Sequence, residues 1–133
     1  MAISSDIRYQ HPAVLLLRYV TAILMLFHGV AKLFSGVSGI EGMLQSIGLP
    51  AWFAFGVFVG EIVAPLLVMA SLWVRWAALL MVVNMIFAVV LAHPNDFLVL
   101  TQTGAWRLET QAFFFFNSLV IAWLVNGKPG RAR

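Results

Sequence analysis

The sequence predicts an all-α fold, an integral membrane four-helix bundle with a short interfacial helix in its first outer loop. Three observations carry this. Of 133 residues, 62% are hydrophobic and only 10% charged, with a mean hydropathy of +0.97; a soluble domain of this size could not cover so much apolar side chain with polar surface. Four apolar segments, near 13–34, 51–73, 76–93 and 109–126, approach or exceed the roughly 20 residues that a membrane helix needs. The apolar runs do not alternate, which argues against barrel strands. The length allows one domain, 1–133.

The boundaries follow from local signals. Pro12 precedes the first helix and Pro50 opens the second, where a missing N–H costs nothing. "HPND" at 93–96 ends the third, and Gly127 with Pro129 ends the fourth. Between the first two spans, Ile40, Met43, Leu44 and Ile47 recur at helical spacing, with Glu41, Gln45 and Ser46 between them. That stripe predicts a short helix over 39–47 lying in the interface. The stretch "DFLVLTQTGAW", 96–106, is expected to dip likewise, so that the two loops form a lid.

Arg8, Arg18, Arg75, Lys128, Arg131 and Arg133 fall on one side of these spans, and only Lys32 and Arg107 on the other. The positive-inside rule then puts both termini in the cytoplasm. Trp52, Trp73, Trp76, Trp106 and Trp123 lie near span ends, as interface anchors do. The polar N-terminus lacks a cleavable signal pattern. Net charge is +3 with the basic residues scattered, so membrane lipid rather than nucleic acid is the expected partner. There is no cysteine, which removes disulfides, thiol relays and thiolate-held metals; no metal site is predicted.

The few polar residues share a depth. A rise of about 1.5 Å per residue puts Lys32 near the outer surface and His28 roughly 9 Å below it. Glu61, Asn84 and Asn117 come out at about 15, 13 and 12 Å, so each helix gives one polar residue to a slab about 6 Å thick. Glu109 and Arg107 sit at its outer rim. On the first helix Arg18, Met25, His28 and Lys32 fall within an arc of about 80°. Such a stripe must look into the bundle or snorkel outward.

Glu61 is the most informative residue. A mid-bilayer carboxylate is expensive unless it is protonated, paired with a cation or open to water. Pro65, four positions on, removes the bond to the Glu61 carbonyl. Gly56 and Gly60, continued by Ala64, let a neighbouring helix approach closely. Plainer roles stand beside these: Lys32 and Arg18 as snorkelling anchors, Asn84 and Asn117 as interhelical glue, and Phe113–Phe116 as packing and lipid contact. His28 reads equally as anchor or site residue.

The same residues carry a family resemblance. Arg18, His28-Gly29, Lys32-Leu33, Gly48-Leu49-Pro50, Glu61 and Arg75 together resemble the pattern of the DoxX family of small four-helix membrane proteins, over about 13–126. Members often carry paired glycines after the helix-two Glu, where this chain has Ala64-Pro65, and a terminal Gly-x-Gly followed by Asp, where it has "NGKPGRAR". The resemblance implies a bacterial cytoplasmic (inner) membrane protein. Some relatives are subunits of oxidoreductases that pass electrons to quinone, and others accompany oxidative-stress enzymes.

The leading expectation is therefore a quinone-interacting module. His28 would donate to a carbonyl, Lys32 would stabilise negative charge developing on oxygen and Glu61 would relay a proton. Arg18, Asn84, Asn117 and Glu109 complete the expected ligand-binding set. Without cysteines there is no Fe–S cluster, and no two histidines share a depth for haem within one chain; electrons would come from a partner redox subunit. A proton or small-solute pathway, built in a homo-oligomer, is a second reading, and an anchor that recruits a soluble enzyme is a third. Bound quinone, Glu61-dependent flux and tolerance of Glu61→Gln separate the three.

Overall fold

The computed structural model describes residues 12–125, and all regular elements among them are helical. Helix α1, Pro12–Ser35, is followed by the short α2, Ser38–Ser46. Helix α3, Ala51–Met69, and helix α4, Val74–Ala92, come next, and α5, Glu109–Leu124, is last. Three of these, α1, α3 and α4, are long and apolar enough to cross a membrane; α5 has 16 residues. It packs along α4 and α1. Gly127 and Pro129, the expected end of the fourth helix, lie outside the described residues, as do both chain termini.

Small side chains let the helices close on one another. Ala22, Ala64, Ala77 and Ala78 meet Met25, Met81 and Ile121 in a core with almost no exposed surface. Large apolar side chains point the other way: Phe27, Phe113 and Trp123 are exposed around the outside. A chain that buries alanine and exposes phenylalanine is built for an apolar surrounding.

Helix α2 lies across one end of the assembly, against the start of α3 and against α4. It buries Leu44 beside Val37 and Ala54. Both its borders are glycines in the left-handed region, Gly36 and Gly48, each at φ +79°. At Gly48 the chain closes a Schellman turn, with Leu49 N–H on the Leu44 carbonyl at 2.9 Å and Gly48 N–H on Gln45 at 3.1 Å. The helix expected over 39–47 thus forms, one residue earlier.

Three expectations are corrected. The second span ends at Met69, not 73, because Ser71 (φ +61°) and Trp73 (φ +44°) turn the chain sharply into α4. The segment 96–106 is not a helix. It folds back on itself, with a bridge between Leu100 and Trp106 and the Arg107 N–H on the Val99 carbonyl at 3.0 Å. Thr101 Oγ1 takes the Ala105 N–H, and Trp106 Nε1 donates to the Phe97 carbonyl at 2.9 Å, satisfying loop groups that a helix would otherwise have satisfied. Finally, Gly56 is not a packing glycine: a Cβ there would meet nothing, whereas one at Gly60 would lie 2.4 Å from Asn84 Cβ.

Candidate functional site

Helix α3 is not regular where it carries Glu61. It starts as a 3₁₀ turn over Ala51–Phe55, and Val59–Val63 form a π turn in which the Ala64 N–H reaches back five residues to the Val59 carbonyl. Pro65 follows with no N–H to give. Such π turns bulge a helix and re-aim its side chains. Here the bulge presses the Glu61 backbone onto α1 at Gly29, where a Cβ would stand 2.6 Å from the Glu61 carbonyl oxygen. Gly60 makes the matching space for Asn84 of α4. Two glycines thus bring three helices together around one carboxyl group.

That group is 3% exposed and fully engaged. Lys32 Nζ, from the last turn of α1, lies 2.5 Å from Glu61 Oε2, and Asn84 Nδ2 donates to Oε1 at 3.2 Å. The Lys32 side chain keeps 28% of its surface exposed, so one partner of the pair is wet while the other is dry. A buried carboxylate with a cation and an amide on its two oxygens meets the condition for an ionised group inside a bundle.

The pair sits at the edge of a cavity of about 710 Å³. Its walls are mainly apolar, among them Met25, Phe53, Leu80 and Phe114, and α2 contributes Ile40, Met43 and Leu44. A cavity of this size with few polar groups matches the usual form of a small-molecule site. A second hollow of about 250 Å³, between α4 and α5, is almost wholly apolar.

Of the residues singled out from sequence, His28, Lys32, Glu61 and Asn84 border this one cavity. No hydrogen bond links His28 to Glu61; its ring stands edge-on to Phe114, centroids 5.3 Å apart, with much of the residue exposed. Arg18 is elsewhere. It is fully buried and its Nη2 donates to the Val68 carbonyl at 2.6 Å and to Ser71 Oγ at 2.8 Å. It clamps the α3–α4 turn at the far end of the bundle. Asn117, half-buried on α5, and Glu109, exposed at the start of α5, line neither cavity.

Sequence reasoning missed the α2-side mouth. His93, at the end of α4, lines the cavity with Gln111 of α5. Its Nδ1 is 2.7 Å from Asp96 Oδ2 and its Nε2 3.3 Å from Gln111 Nε2. Arg107 Nη1 approaches the other Asp96 oxygen at 3.6 Å. The available signal was "HPND" itself, a histidine three residues before an aspartate at a helix end.

Comparison with known proteins agrees with this architecture. The DoxX family model matches residues 13–94, from α1 through the end of α4. A protein of Bacillus subtilis (strain 168) named "Putative oxidoreductase CatD" is 34% identical over 122 residues, covering 85% of this chain and 90% of its own length. No solved structure matches. Helices suited to a membrane, the Arg18, His28-Gly29, Lys32 and Glu61 pattern, and a match over most of the chain lead to one conclusion: the protein belongs to the DoxX family.

Proposed function

We propose that the chain is the membrane-embedded, quinone-binding part of an oxidoreductase, with all four long helices crossing the bacterial inner membrane and both termini cytoplasmic. One observation carries the reading: a buried carboxyl group, held by a cation and an amide, faces an apolar cavity of about 710 Å³. A quinone suits such a space because it is an apolar ring with hydrogen-bonding oxygens, and it supplies a two-electron acceptor. Lys32 and Asn84 would donate to those oxygens, Glu61 would orient both, and His28 with Phe114 would form a ring-bearing wall. The relative's printed name, an oxidoreductase, supports the same class. The chain holds no cysteine, and electrons would enter from a partner redox subunit.

The packing disfavours a through-pathway. Between Glu61 and the Arg18 clamp, Ala22, Met25, Ala64, Val68 and Met81 are fully buried apolar side chains. The buried polar side chains there are the hydroxyls of Thr21 and Ser118, and among the described residues no buried ionisable side chain stands between Glu61 and Arg18. Lipid extracts of the gently purified protein test the reading by mass spectrometry. Near-stoichiometric quinone in wild type, lost in Glu61→Gln, is expected; quinone only at the level of an unrelated membrane protein contradicts it.

A further inference from the structure

We infer that His93 is the proton port of the cavity, exchanging protons between water at the α2 end and the bound ring. This rests on the quinone reading above. His93 closes α4, its N–H on the Val89 carbonyl at 2.9 Å, and the Asp96 N–H returns to the His93 carbonyl at 3.2 Å. The ring is therefore fixed at both its backbone and its Nδ1. A carboxylate only accepts, so Nδ1 carries the hydrogen donated to Asp96, and Nε2 is left as the exchanging atom.

Gln111 serves both states of that atom. With the ring neutral, Nε2 accepts from the Gln111 amide N–H at 3.3 Å, and Gln111 Oε1 is buried without a hydrogen-bond partner. A half-turn of the amide would exchange the two ends. Oε1 would then accept the Nε2–H of the imidazolium, and the orphaned oxygen would be satisfied. The backbone need not move in either state.

Beyond Glu61 the core is mainly apolar, with the hydroxyls of Thr21 and Ser118 as its buried polar groups before Arg18, and the Glu61 carboxyl is occupied by Lys32 and Asn84. The charged and titratable groups around His93 are Asp96 and Arg107 of its own loop, Glu109 exposed at the start of α5, Lys32 and His28 of α1 and Glu61 of α3. Glu41 of α2 stands outside the lining. His28, the other imidazole on the cavity, has only a ring contact and nothing to orient its nitrogens. Nine residues separate Asn84 from His93, about 13 Å of helix rise, so water entering the cavity would have to carry the proton onward. In each transfer the Gln111 amide would first leave Nε2; the imidazolium then gives its Nε2 proton to water in the cavity, the neutral ring keeps Nδ1–H on Asp96, and Nε2 takes the next proton from water at the mouth.

The full chain in lipid nanodiscs, loaded with decylubiquinone, gives the test. Dithionite supplies two electrons, two protons come from water, and bleaching of the quinone band gives the rate. Wild type should show a pH-dependent rate. His93→Gln should bind decylubiquinone equally but be reduced at least about tenfold more slowly, with a flattened pH profile. Should His93→Gln fail to fold, Asp96→Asn, which keeps the turn, is expected to slow reduction several-fold and displace the profile. Equal binding with unchanged rates and profiles in these variants overturns the port and leaves the cavity reading standing. Failure of wild type to bind decylubiquinone overturns both.

Discussion

Replacing Gly29 with alanine probes the contact on which the site is built. A Cβ there would lie 2.6 Å from both the Glu61 carbonyl oxygen and Ile62 Cγ1, whereas ordinary contact begins near 3.4 Å. The shortfall is 3.4 − 2.6 = 0.8 Å, and the oxygen is backbone, so no rotamer change removes it. Helices α1 and α3 must part. Overpacking of this kind costs about 1–3 kcal/mol, and because Lys32 is one turn further along α1, the Lys32–Glu61 pair should loosen too. Gly56→Ala is the matched control: its Cβ would meet no atom within 4 Å and its backbone is already helical. That variant should be neutral or gain roughly 0.4–1 kcal/mol. Unfolding by SDS titration in mixed micelles, followed by tryptophan fluorescence, measures both. Equal stability of the two variants would refute the close approach of α1 to Glu61.

Glu61→Gln should keep the fold while losing about 1–3 kcal/mol and most quinone binding, read by the same titration and by quinone retention. His28→Ala should fold with near-normal stability, since its one recorded contact is the edge-on ring of Phe114, and weaken quinone binding less than Glu61→Gln does. Arg18→Met removes the donor to the Val68 carbonyl and Ser71; roughly 2–4 kcal/mol of stability should go, with quinone affinity of the folded fraction unchanged. A reporter enzyme fused after residue 133 should be active only as a cytoplasmic reporter.

The helices were legible because their cause is local: composition and length specify an apolar span wherever it packs. Glu61 was legible because a carboxylate in an apolar run has few ways to persist. Arg18 shows where such reasoning stops. Its seven-residue spacing puts it on the Lys32 face, yet 14 residues of helix carry about 21 Å of rise, so one stripe serves a clamp at one end and a site at the other. Asn117 has a suitable depth, but depth says nothing about rotation, which α5 takes from packing Phe114, Ser118 and Ile121 inward. The π turn was half visible in Pro65; its direction depends on Gly29 of another helix. His93 went unnoticed because "HPND" was explained by its role as a stop, and its partner Gln111, like the Arg107 that approaches Asp96, is distant in sequence.

Photolabelling tests the central claim most directly. An azido-quinone illuminated in nanodiscs with the full chain, followed by peptide mass spectrometry, reports where the ring rests. The cavity site predicts labelling concentrated on its lining, around Met25, Phe53 and Phe114, competed by decylubiquinone and abolished in Glu61→Gln. Labelling spread over the exposed outer residues such as Phe27, Phe113 and Trp123, and unchanged in Glu61→Gln, would contradict it.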